Sequence, residues 1–205
     1  MTVVYKKRIH LKNFDYTGFY IYFVTLCVRR NVGQTFQVCN PVNHFVQTLK
    51  ELSNNYDFRV WAYCFMPDHL HLLLEGKTEN SNLRKFIRLR RRHQTPSGDE
   101  CEEISAAADV AKTDGTADSC RRGSISMYKQ KTGFYYKKNF GVNLWQINYY
   151  EHILRKKESV EKVAGYIFNN PVRKGLSDDF SSYPFSGSFL FDFRGMQPWK
   201  GLPYE

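Results

Sequence analysis

The chain has 205 residues, 42% of them hydrophobic, which is enough for one domain with a real core or for one domain with appendages. Its formal charge of +10 and its isoelectric point near 9.4 favour a polyanionic partner such as nucleic acid, with a merely basic protein as the alternative. Five cysteines without a Cys-x-x-Cys pair argue against a disulfide scaffold, and the lack of a long apolar run argues against a membrane span. We therefore expect a cytoplasmic protein, associated with the nucleoid if its partner is DNA.

The predicted elements begin after a short basic arm at residues 6–8. A run rich in tyrosine, phenylalanine, valine and threonine predicts a strand over residues 19–29. A helix is predicted from Pro41, because proline is favoured in a first turn and apolar residues follow at helical spacing, at Val42, Phe45, Val46 and Leu49. Two strands, over residues 58–65 and 69–75, are separated by a proline-containing turn.

The second half of the pattern starts at Asn82, which is predicted to cap a helix with an apolar side and an arginine-rich side. A strand over residues 145–154 and a helix containing Tyr166 complete a β-α-β-β-α-β-α order. This order predicts an α+β fold of the ferredoxin-like, or split β-α-β, class. We expect an antiparallel sheet with helices on one face, an open second face, and the tyrosine-bearing helix as an addition.

Residues 94–126 interrupt this pattern. They include no aromatic residue and hold seven acids against three bases, a local charge of −4. Such a segment cannot bury enough apolar surface to offset the entropy of ordering, so it is predicted to be a flexible insert. An acidic tether that shields a basic groove is the alternative. We expect one domain over residues 1–205, with this insert and with a C-terminal tail from about residue 187.

Two histidines lie two residues apart in the run Cys64-Phe65-Met66-Pro67-Asp68-His69-Leu70-His71-Leu72-Leu73-Leu74. Because alternate side chains of a strand share a face, His69 and His71 can both reach one metal ion while the leucines pack behind them. The spacing alone is weak evidence for a metal site, because a solvated pair, or a pair at the rim of the core, is the more common reason for it.

A later segment supplies different chemistry. Apolar residues at helical spacing predict a helix, namely Val160, Val163, Ala164 and Ile167. Tyr166 and Asn170 are roughly 40° apart around an ideal helix, so a phenol and a carboxamide can project toward the same point. Pro171 disfavours helical geometry at Asn170, and we expect the helix to end there. Packing of Tyr166 at a core edge is the alternative interpretation.

Together these segments resemble the single-tyrosine transposases of the His-hydrophobic-His superfamily, or HUH superfamily, and most closely the REP-associated tyrosine transposases. Asp68-His69-Leu70-His71 matches the family's metal-binding strand, and Tyr166-Ile167-Phe168-Asn169-Asn170-Pro171-Val172 matches its Tyr-Ile-x-x-Asn-Pro-Val helix. Residues 145–155 resemble the family's Trp-Gln strand, and residues 19–25 resemble its first strand. The match covers roughly residues 16–186 apart from the insert.

The resemblance implies that Tyr166 is a nucleophile and that His69, His71 and Asn170 bind a divalent metal ion. Three nitrogen and oxygen ligands leave positions open for phosphate oxygens, and the carboxamide suits Mg²⁺ or Mn²⁺ better than a closed zinc site would. The resemblance further implies a metal-dependent endonuclease and strand transferase that forms a 5′-phosphotyrosine on single-stranded or hairpin DNA.

Two basic stretches are candidates for DNA binding. Residues 84–93 carry six basic residues, of which four are predicted to contact phosphates, namely Arg84, Lys85, Arg88 and Arg91. A solvated helix face is the alternative. Residues 134–140 interleave aromatic side chains with Lys137 and Lys138, which is typical of a surface where unpaired bases stack but also of a core edge.

Other functions remain compatible with these patterns. A domesticated module could grip hairpin DNA or RNA without cutting it, although such a binder would not need all four site residues. Replication-initiator nucleases share the histidine pair and are a further alternative. We expect a structural role for His152, with orientation of a ligand or of the DNA as the alternative. Monomer and dimer are both compatible with the sequence, which does not reveal the recognised DNA sequence.

Overall fold

The computed structural model describes residues 14–36, 39–87 and 127–195. Its elements, in chain order, are β1 (Ile21–Cys27), α1 (Cys39–Asn55), β2 (Phe58–Met66), β3 (His69–Gly76), α2 (Leu83–Ile87), α3 (Tyr128–Phe140), β4 (Tyr150–Ile153), α4 (Val160–Arg173), a 3-10 helix (Phe180–Ser182) and β5 (Ser186–Gly187). The strands form one antiparallel sheet in the order β4-β1-β3-β2-β5. The predicted α+β class, an antiparallel sheet with helices, is confirmed.

Strand β3 lies at the centre of this sheet and pairs along its whole length with β1 and β2. Its even-numbered residues face the larger of two cores, and they are Leu70, Leu72 and Leu74. The period of two then turns His69, His71 and Leu73 to the opposite face, where Leu73 joins the smaller core. In β3, therefore, one face is apolar and the other combines an apolar residue with the histidine pair.

The larger core lies between the sheet and helices α1, α2 and α3. Aromatic rings dominate it: Phe36 contacts Phe45 and Phe65 at centroid distances of 5.8 and 5.2 Å, and Phe45 lies 6.2 Å from Trp145. All four residues are almost completely buried. Large rings of this kind bury more apolar area than any other side chains and set the energetics of the core.

Replacing Phe45 with alanine should lower the free energy of unfolding by about 3–5 kcal/mol, because the change removes a buried ring and leaves a cavity between helix and sheet. Urea denaturation followed by circular dichroism measures this loss as a lower midpoint at an unchanged slope. The matched control is Phe134→Ala on α3, whose side chain is 71% exposed. That variant should shift stability by less than about 0.5 kcal/mol.

Over β2 and β3 the second face of the sheet is covered by α4 and by the chain after β5, so the expectation of an open face is wrong for these two strands. Ile167, Phe168 and Phe193 are buried there, and the rings of Phe168 and Phe193 stack at 4.2 Å. The reason is that Leu73 and the alternate residues of β2 are apolar on this face as well and need a cover. The chain beyond residue 187, expected as a tail, packs on the sheet as far as Phe193.

The sequence did not predict helix α3, because its apolar and polar residues do not alternate as they do in an amphipathic helix. Its buried residues include Lys129 and Thr132, whereas Phe134 and Phe140 are exposed. The predicted strand over residues 145–154 is shorter in the structure, where only β4 pairs as a strand and Trp145 makes a single bridge to Val28.

Helix α4 continues through Pro171 to Arg173, so the prediction that the helix ends at Asn170 is wrong. Proline lacks an N–H group, but at this position it costs only one hydrogen bond in the last turn. The turn is completed by the backbone N–H of Lys174, which donates to the Asn170 carbonyl at 3.1 Å. Asn170 therefore keeps helical geometry and lies one turn after Tyr166.

Several predictions lie outside the described residues: the basic arm at residues 6–8, the insert at residues 94–126, and two of the proposed DNA contacts, Arg88 and Arg91. Among the residues that the structure does describe, no helix has the length and apolar character needed to cross a bilayer.

Candidate active site

The two histidines of β3 converge on one point. Their Nε2 atoms are 3.0 Å apart, and the rings meet edge to face at a centroid distance of 4.5 Å. Two metal bonds of about 2.1 Å that meet at about 90°, as in octahedral coordination, place their ligand atoms roughly 3.0 Å apart. The spacing of the two nitrogens therefore fits neighbouring positions on a single octahedral ion.

The other ring nitrogen of each histidine has a partner. His69 Nδ1 lies 2.6 Å from the Asp68 carboxylate, and since a carboxylate only accepts, Nδ1 donates; in the neutral imidazole the lone pair is then on Nε2. His71 Nδ1 lies 3.0 Å from the Thr25 hydroxyl, which can accept its proton in the same way. Metal-binding histidines are held by such second hydrogen bonds, which fix the tautomer and the ring orientation.

The protonation of His71 favours a ligand role. Burial, and secondarily the neighbouring His69, lower the pKa of His71 to about 3. Its imidazole is therefore neutral throughout the physiological range, and the neutral ring is the form that binds a metal. Two imidazole lone pairs that face each other at 3.0 Å would repel, and a cation bound between them would remove that repulsion.

Tyr166 reaches the histidine pair from α4. Its half-buried ring packs edge to face on His71 at a centroid distance of 6.5 Å and on Phe23 at 6.0 Å. The guanidinium carbon of Arg173 lies 5.2 Å from the centre of the same ring. The structure thus brings together the predicted nucleophile and one predicted metal ligand, and it adds an arginine at the tyrosine.

Asn170 is buried, with 6% of its surface exposed, and its Nδ2 atom has no hydrogen-bond partner within the described part of the chain. An unsatisfied buried amide is costly, so its persistence calls for a further partner. A bound ligand that accepts a hydrogen bond from Nδ2 would satisfy the group. Among the described residues no group of three or more histidine, cysteine, aspartate or glutamate side chains is arranged to hold a metal ion, so a third protein ligand would have to be of another kind, such as the Asn170 amide.

His152 and Tyr150 lie on the same face of the sheet as the histidine pair. The register places His152 opposite Phe23 and Tyr150 opposite Thr25. His152 Nε2 lies 2.7 Å from the Glu158 carboxylate, which also accepts from the backbone N–H of Arg155. These contacts connect β4 to the loop that leads into α4.

The four predicted DNA contacts that fall within the described residues lie on the opposite side of the sheet. Arg84 and Lys85 are exposed on α2, and Lys137 and Lys138 are exposed on α3. Both helices pack their buried side chains into the larger core, which is the face turned away from the histidines. The structure therefore does not bring these four cations together with the catalytic candidates.

Three groups at the site were not predicted as such. Asp68 could have been inferred, since it directly precedes His69 in the motif. Thr25 is far from His71 in sequence, and only the pairing of β1 with β3 brings them together. Arg173 follows Tyr166 by seven residues, two helical turns, which is a signal that periodicity could have supplied.

Comparisons with known proteins agree with this geometry. The model of the family "Transposase IS200 like" matches residues 17–95, which include the histidine pair but not Tyr166. A Haemophilus influenzae protein named "Putative REP-associated tyrosine transposase" is 26% identical over 195 residues, covering 92% of each chain. A REP-associated tyrosine transposase of Escherichia coli is 34% identical over 61 residues, which cover 29% of this chain and 37% of that protein.

A solved structure shares the fold. It is a structure of a REP-associated tyrosine transposase bound to a REP hairpin, with a TM-score of 0.55 and 16% sequence identity, and the match covers 86% of this chain and 81% of that one. At this identity the likeness concerns the fold alone. The resemblance to the REP-associated tyrosine transposases that the motifs predicted is confirmed by these comparisons taken together.

Proposed function

We propose, since the chain is similar to the IS200-like and REP-associated tyrosine transposases, that it is a metal-dependent single-strand DNA endonuclease and strand transferase acting at hairpin-containing DNA. The observation that carries this proposal is the convergence of two imidazole Nε2 atoms at 3.0 Å, with the Tyr166 ring packed on one of those imidazoles. A hairpin-binding relative of the same fold supports the choice of substrate. Such an enzyme works in the cytoplasm, at the nucleoid.

The proposed reaction transfers a phosphoryl group from sugar to tyrosine. The Tyr166 Oη atom loses its proton and bonds to the scissile phosphorus, the bond from phosphorus to the 3′-oxygen breaks, and that oxygen takes up one proton as a free 3′-OH. The product is a 5′-phosphotyrosine that keeps the energy of the diester bond. Attack of a 3′-OH on this linkage reverses the step, so joining needs no nucleotide cofactor.

The residues that would hold the metal are His69, His71 and Asn170. When bound there, Mg²⁺ or Mn²⁺ would draw charge from the phosphate oxygens. The protein contributes orientation: Asp68 and Thr25 fix the two imidazoles, and α4 presents the phenol beside His71. Positioning of this kind supplies much of the rate enhancement of phosphoryl transfer.

The decisive experiment incubates the pure protein and Mn²⁺ with 5′- and 3′-labelled hairpin oligonucleotides that carry single-stranded flanks. We expect a denaturation-resistant adduct with the strand 3′ of the cut and release of the strand that ends in 3′-OH. Tight binding without any adduct or cleavage would instead support the alternative, a domesticated binding module.

Arg173→Ala should slow adduct formation by about ten- to a hundredfold, because the guanidinium beside the Tyr166 ring can stabilise negative charge on the phenolate and on the phosphate. Single-turnover cleavage at saturating Mn²⁺ measures this rate, and calorimetric Mn²⁺ titration should give an unchanged affinity. The matched control is Lys174→Ala, an exposed cation that directly follows Arg173 at the end of α4. Equal losses in both variants would indicate a general effect of positive charge.

A further inference from the structure

A pocket of about 370 Å³ opens beside His69. Its walls come from three separate segments: the end of β1 with the turn after it, the turn before β3, and the chain ahead of β4. The lining residues that matter chemically are Cys27, Arg29, Arg30, Asp68, His69 and Gln146. Ligand pockets span about 300–1,000 Å³, and this one lies at the small end, which suits one nucleotide rather than a duplex.

Backbone hydrogen bonds fix the walls of this pocket. Val28 N–H donates to the Asp68 carbonyl at 2.9 Å, Arg29 N–H to Leu144 at 2.8 Å, and Gln146 N–H to the Cys27 carbonyl at 2.9 Å. Behind them the buried Lys129 ammonium donates to three successive carbonyls, those of residues 146, 147 and 148, at 2.5, 2.9 and 3.2 Å. Because these hydrogen bonds already fix the walls, the pocket exists before a ligand binds, and binding does not have to order the backbone around it.

The side chains of the pocket keep part of their bonding capacity. Arg29 uses Nε to donate to the Trp145 carbonyl at 3.1 Å, and no other described residue engages its terminal nitrogens. Gln146 uses Nε2 to donate to the Val28 carbonyl at 2.9 Å, and its side-chain oxygen accepts no hydrogen bond within the described chain. Arg30 is exposed. The pocket thus offers guanidinium donors together with an amide acceptor.

We propose that this pocket binds the nucleotide that adjoins the scissile phosphate, with Arg29 and Arg30 on its phosphate and Gln146 on its base edge. The inference rests on the proposed function. Its location follows from the register, because Cys27 in the wall is the strand partner of the metal-ligand candidate His69. A strand whose scissile phosphate lies at the histidine pair must therefore pass the mouth of the pocket.

The mixed charge of the wall favours a nucleotide over a lone phosphate ion. Asp68 contributes a carboxylate, which would repel a purely anionic ligand. A nucleotide combines one negative phosphate with a base that carries both donors and acceptors. Arginine suits the phosphate because its guanidinium can donate two parallel hydrogen bonds.

The test is a double-mutant cycle on binding in EDTA, measured by fluorescence anisotropy. Each phosphate flanking the cleavage position of a hairpin oligonucleotide is replaced in turn by an uncharged methylphosphonate. In the unaltered protein, we expect the methylphosphonate at one of these positions to lower the affinity for the oligonucleotide about tenfold. In Arg30→Ala, the methylphosphonate at that position should lower the affinity by less than about twofold. Arg59→Ala, at the opposite end of the sheet, should keep the full tenfold loss.

Losses that are the same in the unaltered protein and in Arg30→Ala at every position would overturn the inference, and so would a complete lack of binding in EDTA. The proposed function fails separately, since it requires adduct formation with Mn²⁺. If the methylphosphonate effect is smaller in Arg30→Ala but no adduct forms, the pocket proposal stands and the proposed nuclease function fails. If an adduct forms but the methylphosphonate effect is the same in both proteins, the nuclease function stands and the pocket proposal fails.

Discussion

Replacing Tyr166 with phenylalanine should abolish the covalent DNA adduct, with a loss of at least about a thousandfold in the rate of cleavage. The change removes one oxygen and leaves the ring in its contacts with Phe23 and His71, so stability and hairpin affinity should stay close to those of the unaltered protein. Denaturing gel electrophoresis of labelled oligonucleotides measures the adduct, and fluorescence anisotropy measures binding.

The matched control for this variant is Tyr150→Phe. Tyr150 lies on the same face of the sheet, opposite Thr25, and is 51% exposed, but it belongs to β4 rather than to α4. Its replacement should leave adduct formation intact. If the adduct persists in Tyr166→Phe and disappears in Tyr150→Phe, the nucleophile is Tyr150 of β4 and not Tyr166 of α4.

Removal of either imidazole should have the second large effect. His69→Ala and His71→Ala should each weaken Mn²⁺ binding by at least about a hundredfold and abolish cleavage, because one ligand cannot replace a pair that converges at 3.0 Å. Asn170→Ala should retain weak, detectable cleavage, since both imidazoles remain. Isothermal titration with Mn²⁺ and single-turnover cleavage give the two readouts.

The control here is His44→Ala, because His44 stacks on Tyr135 in the helical layer and lies outside the site. It should keep full metal affinity. Undiminished cleavage by the unaltered protein in EDTA would exclude the metal assignment altogether, whatever the variants show. Binding of Mn²⁺ that survives in His71→Ala would place the ion elsewhere.

The parts of the fold that could be predicted are those in which apolar residues recur at the regular spacing of a strand or a helix. Strand β3 was predicted within one residue of its observed end because apolar residues run without a break and a proline turn precedes them. Helix α1 follows from a single apolar stripe. Helix α3 has no such stripe, since a buried lysine and exposed phenylalanines reverse the usual pattern, and its burial is decided by packing on α1 and α2.

The site was predictable to the extent that its residues are neighbours in sequence. His69 and His71 share a strand face, and Tyr166 and Asn170 share a helix face, so spacing alone relates each pair. The contact between the pairs depends on how α4 crosses the sheet, and no local pattern records that. The same holds for Thr25, which meets His71 through strand register, and for the pocket, whose walls come from three distant segments.

Because Tyr166 and Asn170 lie on one helix, we expect them to unfold locally together, as parts of one cooperative unit. The histidines lie in the central strand of the sheet and are held by backbone hydrogen bonds on both sides, so the backbone amides of this strand should exchange only on global unfolding. Helix α4, by contrast, is attached through side chains such as Ile167 and Phe168. If it detaches, phenol and carboxamide leave together while the imidazole pair stays in place. Hydrogen exchange should then show two levels of protection within the proposed catalytic centre, high in β3 and lower in α4.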